Sequence, residues 1–320
     1  MTINSVITGH GSYLPSKILT NYDLEKIVDT NHDWIVERTG IYQRHIAENE
    51  SNLDMAYHAS LAAIKTAKID KDQIDLIIVA TTTADNSFPS TAAKLQGALG
   101  IKNGAAFDIQ AVCAGFIYGI NIADNFIKAK QATNILLVGV DKMSSLLDWS
   151  DRSTCVLFGD GAGAVIISAQ ESDDKIGIIA SKIYSDGSLH EALYTDGGIS
   201  STKTAGTVKM KGQEVFKHAV EKMSSSIRDL FIANNMDISD TDIFIPHQAN
   251  LRIVESVAKK LSLPKEKLIC TLDKHANTSA ASIPLALDYA CANNKIKSGD
   301  IVALTAIGAG LCWGSAIIRM

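Results

Sequence analysis

Asp75-Leu-Ile-Ile-Val-Ala80 is an acidic turn followed by an unbroken apolar run, and Asp242-Ile-Phe-Ile-Pro246 repeats it in the second half of the chain. Apolar residues without polar alternation mark a strand covered on both faces. A second pair matches as well. Phe158-Gly-Asp-Gly-Ala-Gly-Ala-Val-Ile-Ile167 and Ile307-Gly-Ala-Gly-Leu-Cys-Trp-Gly-Ser-Ala-Ile-Ile318 each run from a glycine-rich bend into a strand. Outward from these, Met1–Gly9, Ile135–Val140, Ala164–Ile167, Ile301–Thr305 and Ser315–Ile318 read as strands. Leu53–Ala67 and Glu214–Ala233 read as helices. The alternation is that of an α/β protein built by internal duplication. The polar run Gln170-Glu-Ser-Asp-Asp-Lys175 separates the halves, giving expected units 1–172 and 173–320. A site at their seam would draw residues from both.

Several classes are disfavoured by composition. A net charge of −5 argues against a nucleic-acid binder that relies on overall basicity. Asn121 and Asp124 interrupt the longest apolar stretch, so no membrane span is expected. The N-terminus lacks a basic region followed by an apolar core, the pattern of a signal peptide. The five cysteines are odd in number, scattered and free of CxxC spacing, which argues against a zinc site or a disulfide framework and fits a reducing cytoplasm. Gly159-Asp-Gly-Ala-Gly163 and Gly9-His-Gly11 resemble pieces of a dinucleotide fingerprint. The first leads into a strand rather than a helix, and the second has no third glycine.

Three motifs carry chemistry. Cys113 lies in Ala105-Ala-Phe-Asp-Ile-Gln-Ala-Val-Cys-Ala-Gly-Phe-Ile-Tyr-Gly119, between a strand-like and a buried helix-like segment. A cysteine at a helix N-terminus meets unpaired N–H groups that favour thiolate; the alternative is a small buried hydrophobe. His247 follows a strand in Pro246-His-Gln-Ala-Asn-Leu-Arg252, and Asn277 sits in His275-Ala-Asn-Thr-Ser-Ala-Ala-Ser282. Singly, each reads as structural, the asparagine as a helix cap. Together they offer a nucleophile and two hydrogen-bond donors, suited to an acyl-thioester intermediate and a stabilised enolate.

On these runs, with Gly9-His-Gly-Ser-Tyr-Leu-Pro15, Asp33-Trp-Ile-Val-Glu-Arg-Thr-Gly-Ile41 and Trp313-Gly-Ser315, the whole chain resembles the β-ketoacyl-acyl carrier protein synthase III family of the thiolase-like superfamily. The resemblance implies two related βαβαβαββ halves in a layered αβαβα core. It also implies an initiating condensation of an acyl-coenzyme A primer, acetyl by default, with malonyl-acyl carrier protein. Coenzyme A thioester is then a substrate, and no cofactor or metal is expected. Cys113 matches the acyl-accepting nucleophile, and His247 and Asn277 the decarboxylation pair. The backbone N–H groups of Cys113 and Ala309 match the oxyanion hole. Trp34 and Arg152 match residues that sandwich adenine, with Thr30 and Arg38 beside them, and Asn250 and Gly212 border the pantetheine tunnel. Phe88 matches a residue reaching into a neighbouring subunit's acyl pocket, which implies a homodimer, and Ile307 would shape the pocket. Gln248, Arg252, Lys217, Lys259 and Lys260 would meet the acidic carrier protein.

Related chemistries fit less well. A thiolase needs a second catalytic cysteine, and Cys312 lacks the expected Cys-Gly-Gly context. Elongating synthases use two histidines, plant-type polyketide synthases lack the Pro-His-Gln-Ala-Asn run, and hydroxymethylglutaryl-coenzyme A synthases need a glutamate with no matching motif here. A silent acyl-coenzyme A-binding protein would usually lose one of the three residues. Two departures from the family pattern stand out. Ala276 replaces the usual Gly, and Ile307-Gly-Ala-Gly310 replaces Phe-Gly-Gly-Gly.

Overall fold

The computed structural model describes residues 2–320. The first half opens with β1 (Thr2–Tyr13). An excursion follows in which β2 (Lys17–Thr20) and β3 (Gln43–Ile46) pair antiparallel around α1 (Asn21–Leu24) and α2 (His32–Thr39). Then come α3 (Asn52–Ala67), β4 (Leu76–Ala80), α4 (Thr91–Leu99), β5 (Ala105–Ile109), α5 (Gly115–Lys128), β6 (Asn134–Lys142) and β7 (Asp160–Ser172). The second half has β8 (Gly177–Ser185), a hairpin of β9 (Leu193–Thr195) and β10 (Val208–Met210), then α6 (Gly212–Ala233) and β11 (Ile243–Pro246). It ends with α7 (Leu251–Lys260), α8 (Leu272–His275), α9 (Ser282–Ala292), β12 (Ile301–Gly308) and β13 (Cys312–Arg319).

The strands form two central sheets, ordered β1-β7-β6-β4-β5 and β11-β12-β13-β8, and neither borrows a strand from the other half. In each, one parallel pairing (β4 with β6, β11 with β12) is followed by two antiparallel ones. The duplication read from the sequence is therefore a duplication of register. Its acidic turns have a job: Asp75 accepts from the backbone N–H groups of Thr133 and Asn134, and Asp242 accepts from Ile301. Each carboxylate pins the start of the neighbouring parallel strand. Only the fifth strand differs. Where β5 runs parallel to β4 over five residues, its counterpart is reduced to one parallel bridge, Phe244 to Leu268.

Alternation explains the layering. Along β4, Leu76 and Ile78 face an inner core shared with α5 and α9, while Ile77 and Val79 face an outer core under α3 and α4. Along β12, Val302 and Leu304 face the same inner core, and Ile301 and Ala303 face α6 and α7. The order is helix, sheet, helix, sheet, helix. A buried pair of helices at the centre explains why the segment after Cys113 reads as apolar nearly all round. Among the described residues, no helix is long and apolar enough to cross a membrane.

Candidate active site

Cys113 stands where β5 gives way to α5, in a tight turn spanning Val112–Ala114. Val112 has φ +46°, a left-handed conformation that is costly for a β-branched residue. The turn is held from below by Gly308. A Cβ on Gly308 would lie 2.7 Å from Ala111 O and 2.8 Å from Cys113 N, so only glycine lets β12 approach this closely. The thiol donates to Ser279 Oγ at 3.5 Å. Burial pushes it up to about 12, with the nearby Asp141 carboxylate adding to the rise. Desolvation thus opposes the pull of the helix N-terminus and favours the neutral thiol.

His247 extends β11, its N–H donating to Thr305 O at 2.8 Å. Its Nδ1 lies 2.6 Å from Ser282 Oγ, on α9. That hydroxyl also accepts from Gln248 N, and Nδ1 is the acceptor available to its own proton. The network therefore assigns the ring proton to Nε2. Burial lowers His247 to about 3, which keeps the ring neutral. A neutral imidazole with a protonated Nε2 is a hydrogen-bond donor that brings no charge.

Asn277 is pinned to the first half: its N–H donates to Leu157 O, and Gly159 N donates to Asn277 O. Its Oδ1 accepts from Ser279 N at 2.9 Å, which leaves Nδ2 as the available donor. Ala276 just before it has φ +57° and ψ −158°, a region that glycine tolerates and alanine does not.

Cys113, His247 and Asn277 converge on one cavity of about 570 Å³. Its outer part is lined by Trp34, Arg38, Arg152, Gly212, Asn250 and Arg252. The guanidinium carbons of Arg38 and Arg152 lie 4.6 and 5.2 Å from the Trp34 ring centroid, making a cationic aromatic mouth. Asn250 caps α7 through Oδ1 and donates to Arg38 O, tying that helix to the mouth. A second, smaller cavity of about 140 Å³ also reaches Cys113, with Ala309, Thr82, Met143, Leu146 and Leu193 among its walls. Ala309 lies outside the positive-φ region, so alanine is tolerated there.

Three expectations change. Gln248 is buried and spends its amide on Pro246 O, Ile269 O and Thr271 N, so it braces the loop and cannot present itself to a carrier protein. Ile307 lines the larger cavity rather than the smaller, because it follows Ala306 on the strand and faces outward toward α6. Thr30 lies off the cavity wall, its Oγ1 buried. Phe88, expected to reach a neighbouring subunit, is 86% exposed and lines neither cavity of its own chain. Lys217, Lys259 and Lys260 are exposed, as is Arg252 at the rim. Sequence reasoning passed over Ser279 and Ser282, which orient the catalytic groups from within the quoted Asn-Thr-Ser-Ala-Ala-Ser run. It also missed Asp141, whose signal is a carboxylate closing an apolar strand.

A thiol, a neutral imidazole and a carboxamide donor at the seam of two duplicated halves define a thiolase-like condensing enzyme. Comparison with known proteins narrows the class. The sequence profiles for 3-oxoacyl-[acyl-carrier-protein] synthase III match residues 107–187 and, for its C-terminal part, 231–320. The chain is 55% identical over 317 residues to β-ketoacyl-[acyl-carrier-protein] synthase III of Ehrlichia canis, covering 99% of each. It is 55% identical over 314 residues to that of Rickettsia prowazekii, covering 98% of each. The crystal structure of the Aquifex aeolicus 3-oxoacyl-[acyl-carrier-protein] synthase III superposes with a TM-score of 0.94 at 47% identity, over 99% of this chain and 100% of that one. The chain belongs to the β-ketoacyl-acyl carrier protein synthase III family. It is an acyltransferase, and its chemistry is the initiating condensation of fatty acid synthesis.

Proposed function

We propose that the protein joins a short acyl-coenzyme A, acetyl in the first instance, to malonyl-acyl carrier protein by a ping-pong route through an acylated Cys113. The observation that carries this reading is the convergence of Cys113, His247 and Asn277 on one cavity with a cationic aromatic mouth. The thioester enters past Trp34, Arg38 and Arg152, with pantetheine along Gly212 and Asn250, and Cys113 attacks its carbonyl. Charge on the carbonyl oxygen is met by the backbone N–H groups of Cys113 and Ala309. Malonyl-carrier then takes the same tunnel. Loss of CO₂ leaves an enolate whose oxygen accepts from His247 Nε2 and Asn277 Nδ2, and the carbanion attacks the acyl-cysteine. A neutral His247 suits this step, since its N–H is a far weaker acid than an imidazolium and stabilises the enolate without protonating it.

Primer length follows from the smaller cavity, whose walls close around the acyl group. Arg252 at the rim, with Lys217, Lys259 and Lys260, forms the carrier-protein surface on an otherwise acidic protein. A homodimer is supported by β5, an edge strand with a partner on one side only, and by the exposed ring of Phe88 nearby in sequence. The test is intact-protein mass spectrometry with a panel of acyl-coenzyme A thioesters. Wild type should gain one acyl group, most readily acetyl. Cys113→Ala should gain none and lose condensation toward the roughly 10⁶-fold typical of a deleted nucleophile. A folded wild-type protein that takes no acyl group from any thioester overturns the reading and leaves an acyl-coenzyme A-binding protein.

A further inference from the structure

Ala309 lies in the turn between β12 and β13, flanked by Gly308 and Gly310. Two glycines leave that backbone little rigidity of its own. A reacting group misplaced by about 1 Å can cost about 10²-fold in rate, so a donor on such a turn has to be fixed from outside. On one side Gly308 packs against the elbow of Cys113. On the other, the end of β8 grips the turn. Asp186 and Leu311 exchange both backbone hydrogen bonds, Asp186 N to Leu311 O at 2.8 Å and Leu311 N to Asp186 O at 3.1 Å. Two residues away, Trp313 pairs with Tyr184, and their rings stack with centroids 5.6 Å apart and planes 10° from parallel. Tyr118 Oη, on the helix that follows the elbow, donates to Tyr184 O at 2.8 Å. The end of β8 is therefore tied both to the helix behind Cys113 and to the turn that carries Ala309.

One side chain closes this assembly. Lys222, on α6, places its Nζ 3.9 Å from the Trp313 ring centroid and 3.8 Å from Asp186 Oδ2, with 19% of its side chain exposed. Asp186 Oδ1 accepts from Ser188 N and Ser188 Oγ, which leaves Oδ2 to the lysine. A cation partly withdrawn from water, over an indole face and beside a carboxylate, is held by both. Lys222 thus bridges the two residues, Asp186 and Trp313, that grip and follow the turn. None of Lys222, Asp186, Tyr184 and Trp313 lines either cavity, so what they do for the reaction passes through the backbone they hold.

We infer that Lys222 is a positioning residue, which with Asp186 and Trp313 clamps the turn so that the Ala309 N–H meets the oxyanion. This rests on the reading in which Cys113 accepts the acyl group and Ala309 serves its carbonyl oxygen. Charge develops on that oxygen when Cys113 attacks the thioester, and again when the enolate attacks the acyl-cysteine, so the clamp acts in both bond-forming steps. Malonyl decarboxylation places its charge on another oxygen, the one that accepts from His247 and Asn277, and the clamp does not hold those side chains. A general brace of the fold would not separate the two activities.

The experiment measures single-turnover acylation over a range of acetyl-coenzyme A concentrations, and decarboxylation of malonyl-acyl carrier protein, in wild type, Lys222→Met, Lys222→Arg and Asp186→Asn, beside Cys113→Ala. Methionine keeps an apolar stem on the indole and removes the charge. Lys222→Met should lower the saturating acylation rate about 10-fold, with the half-saturating thioester concentration within about twofold of wild type and decarboxylation preserved. Lys222→Arg should recover most of the lost rate, because a guanidinium both stacks on an aromatic face and pairs with a carboxylate. Asp186→Asn keeps the backbone bonds to Leu311 and should show the same pattern more weakly, at about threefold. If Lys222→Met does not fold, Asp186→Asn decides on the same terms. Wild-type acylation in the folded variants overturns the clamp. So does an equal loss of acylation and decarboxylation, or an arginine variant as slow as the methionine one. Acylation persisting in Cys113→Ala would instead overturn the reading on which the clamp stands.

Discussion

The two halves each lead into their central helix through the same elbow and use it differently. In the first, Val112–Ala114 turns into α5 with φ +46° at Val112; in the second, Ser279–Ala281 turns into α9 with φ +52° at Ser279. Both helices then run buried through the centre of the molecule. The first elbow presents Cys113, whereas the second places Ala280 at the matching position and points its N–H at Asp141 of the first half. One copy of the duplicated frame thus supplies the nucleophile, and the other supplies the donors that receive charge. Duplication provided two equally rigid platforms, and chemistry required only one of them to be reactive.

That division can be broken from the second half. His247→Ala or Asn277→Ala should lower condensation and malonyl decarboxylation by about 10²–10³-fold while Cys113 still acylates, because only the enolate loses a donor. Paired decarboxylation and acyl-adduct assays check this. Equal damage to both half-reactions would mean that the halves do not divide the work.

Gly308→Ala tests the contact between the elbow and the second half. Its new Cβ would press within 3.0 Å of Ala111 O, Cys113 N and Ala114 N. The expected cost is roughly 1–3 kcal/mol in a urea titration, with acylation slowed as the oxyanion donor is displaced.

Acid should act on the halves in opposite directions. In the second half, burial lowers His247 to about 3 and His275 to about 4, both below the ordinary 6.5. Their unfolded forms therefore bind protons first, so this stability is complete above about pH 6.5 and is lost as pH falls toward 4. The slope is about 1.4 kcal/mol per pH unit for each ring. Burial instead raises Asp141 and Asp160 in the first half, so acid favours their folded forms until the unfolded carboxyls near 3.8 also protonate. Urea midpoints at pH 7 and 5 should fall in wild type and fall less in His275→Asn. An equal fall in both would remove His275 from the acid response.

The smallest effect sharpens the comparison of backbones. Ala276→Gly should relieve the φ +57°, ψ −158° strain and raise stability by about 1 kcal/mol, with condensation preserved. A thermal melt reads it, and an unchanged or lower midpoint would show that the chain pays nothing for alanine there.

Much of this was legible before any coordinates. Strands such as Leu76–Ala80 and Ile243–Pro246 are apolar at every position because both faces are covered, and that periodicity is local information. The repeated acidic turns and glycine bends carried the duplication. The Cys113, His247 and Asn277 motifs were recognisable because each sits in a short run whose neighbours are themselves constrained by the turn. What the amino-acid order determined by itself was therefore the alternation of elements, the two halves, and the identity of the reacting groups. Tertiary structure alone decided the rest: that Gln248 is a buried brace rather than a contact, that Ile307 faces the larger cavity, that burial raises the Cys113 thiol, and that Ser279 of the second half meets its sulfur. The physical reason is that burial, desolvation and hydrogen-bond pairing depend on residues more than a hundred positions apart, which no local pattern records.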